Sequence, residues 1–184
     1  DVLADVIFCC TQTDVANLQK EGYAPQRIEY PGDLMKDALM MTLRKYNIEP
    51  SRGDYHVLTL HGEENVTDAV RLRAILEGLA AVDRRIVFPA HPRTFKTLES
   101  SGILEIVRKS KIEICKPMGY VDFLRLTAGA DKILTDSGGV RRGAYLLRKP
   151  CIVLIEISWF PEISQAGWKV LTAPDPRRIA DLVR

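Results

Sequence analysis

Thr135-Asp136-Ser137-Gly138-Gly139 follows an apolar run over 132–134 and opens a helix-like segment over 140–147. A strand that turns through two glycines into a helix makes a compact anion site. The first-turn N–H groups have no intrahelical partner, and the helix dipole favours negative charge there. Glycines let a phosphate come close to the backbone, and Ser137 offers a hydroxyl donor. The chemistry this suits is the binding of a phosphorylated ligand. The same residues also suit an ordinary helix cap on Ser137 with a tight glycine turn, and both readings stand at this point. Asp136 is expected to accept N–H bonds within the turn, because a carboxylate facing a phosphate would repel it.

Other polar residues fall where such a site needs them. Ligands of an open parallel sheet bind at the carboxyl ends of its strands. Here His61-Gly62-Glu63-Glu64-Asn65 follows the first strand candidate, Pro89-Ala90-His91-Pro92-Arg93 the second, Asp136 to Gly139 the fourth, and Glu156-Ile157-Ser158 the fifth. Two of the three histidines, His61 and His91, lie on that one edge, which favours a cleft over scattered polarity. His61 suits acid/base work or ligand contact, and equally a helix cap or a bond to a buried carbonyl. His91, between Ala90 and Pro92, reads as an orienting or structural residue rather than a proton-transfer group, and His56, inside a strand, as packing or edge-exposed. Glu63-Glu64 and Arg141-Arg142 read as solvated helix-start charges. Phe123 precedes Leu124 and reads first as core, although a flat base could lie against it.

The elements that position these residues alternate. Strand candidates cover 55–60, 85–88, 112–115, 132–135, 151–154 and 169–171; helix candidates cover 66–82, 93–99, 103–108, 120–127, 140–147 and 176–183. The first helix places Val66, Ala69, Val70, Leu72, Ile75, Leu76 and Leu79 on an apolar stripe. Such alternation implies an α/β fold, a Rossmann-like parallel sheet with helices on both faces. The front third differs: a strand over 6–9, a helix opened by Thr13 and closed by Gly22, a strand over 27–30, the turn Pro31-Gly32-Asp33 and a helix over 34–46. Residues 47–54 read as a linker. The expected organisation is therefore 1–50 as a remnant of a preceding N-terminal α/β domain plus linker, and 51–184 as a C-terminal Rossmann-like domain.

Composition narrows the partners. The 184 residues are 46% hydrophobic and 27% charged, with a net charge of +2 and dispersed Lys and Arg, so no nucleic-acid partner is expected. Cys9, Cys10, Cys115 and Cys151 sit in or beside apolar runs without C-x-x-C spacing, which suits reduced thiols and a cytoplasmic protein. No run of ~18 apolar residues exists, so no membrane span is expected, and the N-terminus lacks a signal-peptide pattern. Starting at Asp1 rather than Met suggests processing, or a cut from something longer. Neither a metal nor a redox cofactor is suggested.

Five ordered pieces carry a resemblance: His61-x-x-Glu64-Asn65; Pro89-x-His91-Pro92-Arg93-Thr94; Pro117-Met118-Gly119-Tyr120-x-x-Phe123-Leu124; Thr135-Asp136-Ser137-Gly138-Gly139; and Pro161-Glu162 ahead of Ala166-Gly167. Together they resemble the non-hydrolysing UDP-N-acetylglucosamine 2-epimerases. Thr11-x-Thr13, Asn17-Leu18 and Glu21-Gly22 are similar to the end of that family's N-terminal domain.

The resemblance implies two Rossmann-like domains in the GT-B arrangement with the active site in the cleft, this chain supplying the C-terminal half. It implies reversible inversion at C2 of UDP-GlcNAc, through UDP elimination and re-addition, in a homodimeric enzyme of polysaccharide biosynthesis. Ser137, Gly138 and Gly139 match the phosphate cradle, His61 the active-site histidine, Phe123 the residue near the uracil, and Met118 a position whose backbone could bond the base. Departures accompany these matches. Gly62 stands where an arginine is usual, Gly143 where a glutamate holds the ribose, and Ile155, Ser158 and Trp159 where an arginine, a threonine and a glutamate are usual. A lost carboxylate could cost a few kcal/mol of binding. The fragment alone is expected to be inactive. Alternatives are a GT-B glycosyltransferase and a non-catalytic nucleotide-sugar binding or regulatory domain.

Overall fold

The computed structural model describes residues 2–156 and 167–184. Two compact units are present, Asp1–Lys45 and Tyr46–Arg184. In the first, β1 (Ile7–Phe8) pairs in parallel with β2 (Ile28–Glu29), joined through α1 (Gln12–Lys20), and α2 (Leu34–Lys45) follows. The cap of α1 is Thr11, not the expected Thr13. Thr11 Oγ1 accepts from Asp14 N at 3.1 Å and Thr11 N donates to the Asp14 carboxylate at 2.8 Å, a reciprocal box that only a residue three before the acid can form. Both strands are shorter than expected, the second because Pro25–Arg27 winds into a 3₁₀ turn.

The second unit carries six parallel strands: β3 (Tyr55–Thr59), β4 (Arg85–Pro89), β5 (Ile112–Cys115), β6 (Ile133–Thr135), β7 (Cys151–Val153) and β8 (Lys169–Leu171). Their order across the sheet is β5-β4-β3-β6-β7-β8. The chain thus works outward from β3 in one direction, then returns to β6 and works outward in the other. That reversal between β3 and β6 is the switch point at which such sheets bind ligands.

Side-chain alternation explains the two-sided burial. Leu58, Leu134 and Ile152 share one buried cluster, and their strand neighbours Val57, Ile133, Cys151 and Val153 share another. The first face is covered by α4 (Ala69–Ala80), α5 (Pro92–Ser100), α6 (Leu104–Arg108) and α9 (Pro176–Val183). The second is covered by α7 (Tyr120–Gly129) and α8 (Gly138–Leu146) through Phe123, Leu126, Val140 and Ala144.

The expected helix over 66–82 is two helices, α3 (Glu63–Thr67) and α4. Asp68 takes an extended conformation, and its carboxylate accepts from Val70 N at 2.9 Å and Arg71 N at 3.1 Å, so it caps a new helix instead of continuing the old one. Ala69 and Val70 consequently face solvent, while Leu72, Ile75, Leu76 and Leu79 form the buried stripe. Gly78 permits close contact of α4 with α9: a Cβ there would lie 2.7 Å from the Pro176 carbonyl oxygen.

At the opposite end of the strands, residues 51–53 lie along the end of α7. Ser51 N donates to Ala128 O at 3.0 Å and Gly53 N to Gly129 O at 2.8 Å, and the buried Lys149 ammonium donates to Ala130 O at 2.6 Å and to Ser51 O. His56 is also buried at this end, with Nδ1 3.8 Å from Asp131 Oδ2, beyond hydrogen-bond reach. Burial pushes its pKa down, outweighing the upward pull of Asp131. Unfolded histidine protonates near pH 6.5, so below about that value the unfolded chain binds the extra proton and the folded chain does not. Stability is therefore expected to be constant in this respect above about pH 6.5 and to fall as pH drops below it. The check is the urea midpoint at about pH 7.5 and 5.5: the loss on acidification should shrink in His56→Leu, and an unchanged loss would assign it to other groups.

Candidate functional site

The carboxyl ends of β3 and β6 are joined by side chains before either chain turns. Thr59 Oγ1 lies 2.6 Å from Thr135 Oγ1, both buried, and Thr135 Oγ1 also accepts from Ser137 N at 2.9 Å. Ser137 then takes an extended conformation, its Oγ accepts from Val140 N at 3.5 Å, and its carbonyl accepts from Arg141 N at 3.1 Å. It is the N-cap of α8, so the cap reading of the sequence holds. Gly138 and Gly139 become the first two helical residues, whose N–H groups have no carbonyl one turn back to bond. Gly139 is exposed and Gly138 half-buried. A capped helix start with two glycines in its first turn suits an anion, so the cap and the cradle are compatible.

Asp136 is engaged differently from expectation. Its carboxylate bonds across to the turn after β3, accepting from His61 N at 3.2 Å, Gly62 N at 2.9 Å and Asn65 Nδ2 at 3.1 Å. The fully buried Asn65 also donates to Leu154 O at 2.9 Å and accepts from Arg71 Nε at 3.1 Å. Every hydrogen-bonding site of that amide apart from spare lone pairs is thereby used. Asn65 stood in the motif after His61 without a role; its signal was an amide beside Val66 at the start of a helix that must bury its inner face.

His61 follows Leu60 directly, with its backbone fixed by Asp136 and its side chain exposed. His91 has the structural role expected of it as one of two alternatives, since Nδ1 accepts from Arg93 N at 3.2 Å as the N-cap of α5. The buried Thr94 Oγ1 donates to Leu60 O at 2.9 Å and anchors that helix start beside the His61 turn. Met118 lies half-buried between β5 and α7. Phe123 is half-buried and packs against the same cluster as Val140 of α8. The structure thus joins the His61 turn to Ser137, Gly138 and Gly139 through Asp136, and sets Met118 and Phe123 at the start of α7.

Arg141 is not a solvated charge. It is 2% exposed, and burial pushes its pKa down while Cys151 and Asp136 pull it up. Arg142 is half-buried. The Cys151 thiol is pushed up to about 12 by burial, against the lowering influence of Arg141 and Lys169. It is therefore an inert core group, and all four cysteines are thiols outside any disulfide.

Ile155 belongs to the second buried cluster, so it serves the core where the resemblance puts an arginine. At Gly143 a Cβ would meet nothing within 4 Å, leaving room where the ribose-holding carboxylate is expected. Ser158, Trp159, Pro161, Glu162 and Ala166 lie outside the described residues. A cavity of about 450 Å³ between α5 and the end of β5, lined by Ala90, Phe95 and Ile114 among others, contains none of these site residues. Among the described residues no helix is long and apolar enough to cross a membrane, and no cluster of three His, Cys, Asp or Glu could hold a metal.

Comparison with known proteins agrees with this geometry. The family model for UDP-N-acetylglucosamine 2-epimerase matches residues 1–184. The UDP-N-acetylglucosamine 2-epimerase of Methanocaldococcus jannaschii is 33% identical over 198 residues, covering 100% of this chain and 54% of the relative. The UDP-2,3-diacetamido-2,3-dideoxy-D-glucuronate 2-epimerase of Pseudomonas aeruginosa is 30% identical over 192 residues, covering 100% and 53%. A crystal structure of the M. jannaschii UDP-GlcNAc 2-epimerase in complex with UDP-GlcNAc and UDP superimposes with a TM-score of 0.89 at 33% identity, over 97% of this chain and 53% of that one. The chain spans about half the length of the relatives it matches. By family model, relatives and fold together, the chain belongs to the UDP-N-acetylglucosamine 2-epimerase family.

Proposed function

We propose that this chain is the UDP-binding half of an enzyme that interconverts UDP-GlcNAc and UDP-ManNAc. The observation that carries the proposal is the capped glycine turn Ser137-Gly138-Gly139 at the sheet's switch point, in a member of this family. A relative 33% identical is described in complex with UDP-GlcNAc and UDP, which supports the same ligand class here.

In the elimination step the C1–O bond to UDP breaks and the proton at C2 leaves, giving a 2-acetamidoglucal. UDP then adds back after C2 has taken a proton on its other face. Negative charge grows on the departing diphosphate, and fixed donors aimed at it lower the barrier without reorganising. The Gly138 and Gly139 amides, the Ser137 hydroxyl and the start of α8 supply those donors. His61, on the adjoining turn, either moves a proton or polarises the diphosphate. The Met118 backbone and the Phe123 ring take the uracil.

Residues 1–50 are the end of the N-terminal domain and its linker, and residues 51–184 form the C-terminal domain of a GT-B arrangement. The complete enzyme is a cytoplasmic homodimer serving polysaccharide biosynthesis. Four thiols outside any disulfide fit a reducing compartment.

Calorimetric titration of UDP into this chain tests the cradle. Wild type should bind saturably, and Ser137→Ala should bind about 10- to 150-fold more weakly, since a bond to a charged group contributes about 1.5–3 kcal/mol. Equal affinities, or no binding by wild type, would overturn the assignment. Deuterium entering C2 of UDP-GlcNAc in heavy water with the full-length protein tests turnover. Binding without exchange would identify a non-catalytic nucleotide-sugar domain.

A further inference from the structure

We infer that Asp136 is a positioning residue for nucleotide binding, acting by clamping the His61 turn against the Ser137 turn. The inference rests on the reading of this site as a UDP site. Asp136 sits next to the cradle yet carries the same sign of charge as the ligand. A carboxylate left facing the diphosphate would weaken binding. Its engagement with His61 N, Gly62 N and Asn65 Nδ2 gives that charge three donors on the far turn.

The clamp extends across a third strand, because Asn65 continues it to Leu154 O just past β7. Two buried side chains, Asp136 and Asn65, therefore register the ends of β3, β6 and β7. Gly62 is part of the device. Its φ of −59° is open to any residue, so backbone freedom is not what sets this glycine apart from the arginine usual here. Proximity is: in this chain a Cβ at Gly62 would stand 2.9 Å from Asp136 Oδ2. A side chain at 62 and the clamp as it stands cannot coexist without a shift of the carboxylate.

Two variants attack the clamp from opposite sides. Asp136→Asn keeps the shape but turns one acceptor into a donor that cannot satisfy the two oxygens' present partners. Gly62→Ala leaves Asp136 intact and crowds it. Each should weaken UDP binding by about tenfold or more in calorimetry. Each should also speed amide hydrogen exchange at His61 and Gly62 and shift the Asn65 side-chain amide resonances, while amides of β4 and α4 keep their protection. If Asp136→Asn fails to fold, Gly62→Ala carries both measurements. Exchange that rises uniformly through the whole second unit would mean a purely structural role and would overturn the inference. So would unchanged UDP affinity in variants that do fold. If wild type itself binds no UDP, the reading of the site falls and takes this inference with it; if only the variants behave like wild type, the inference alone falls.

Discussion

Gly139→Asp is expected to leave the second unit folded and to remove UDP binding. Gly139 is the second residue of α8 and is exposed, so a side chain there enters solvent beside the helix start. For folding, a carboxylate in the first turn is favourable by about 0.3–1 kcal/mol through the helix dipole, and replacing glycine adds a few tenths from helix propensity. For binding the sign reverses. Two like unit charges about 5 Å apart cost about 3 kcal/mol at an effective dielectric of about 20. A diphosphate in the cradle would meet at least that, which corresponds to more than about a hundredfold in affinity. At about 0.15 M salt the screening length is about 8 Å, longer than the separation, so the repulsion survives under physiological conditions. The expected pair of results is a thermal midpoint equal to or above wild type and no measurable heat of UDP binding. A variant that still binds within tenfold of wild type would move the diphosphate away from this turn.

Much of this arrangement was legible in the residues because it is local. Val57-Leu58, Ile133-Leu134 and Ile152-Val153 are apolar at consecutive positions, which is the pattern of strands buried on both faces, and all three runs are central strands. Ser137 followed by two glycines predicted a helix start, and α8 begins there. What escaped was set by contacts between distant segments. Asp68 is a residue type that caps helices, but the apolar stripe from Val66 to Leu79 hides the break it makes. Two adjacent arginines do not reveal which one faces the sheet, and it is Arg141 that is buried. The bond from Asp136 to the His61 turn joins residues that are far apart in sequence, so only the β3–β6 pairing brings them together. Ile155 is the converse case: its apolar type already pointed to the core that it occupies.

Phe88→Ala should produce the largest loss of stability. Phe88 is fully buried in β4, pairs in register with Ile114 of β5, and belongs to the cluster shared by α4, α5, α6 and α9. Truncating such a ring removes its transfer energy and leaves a cavity that rigid neighbours close only in part, a cost of about 3–5 kcal/mol. Against a total of about 5–15 kcal/mol for a domain, that is a large fraction, and it should appear as a clear fall in the urea midpoint with little change in slope. A loss below about 1 kcal/mol would mean that the helices on this face settle into the space. The same experiment separates core from site. UDP at about a hundred times its dissociation constant should restore about 2.7 kcal/mol to any form that binds it, because it binds the folded state alone. Phe88 lies in a buried cluster that includes none of the residues assigned to the nucleotide, so the increment should be the same in wild type and Phe88→Ala. A smaller increment in the variant would show that packing under β4 reaches the ligand through the His91–Thr94 helix start, which is anchored to Leu60 one residue before His61.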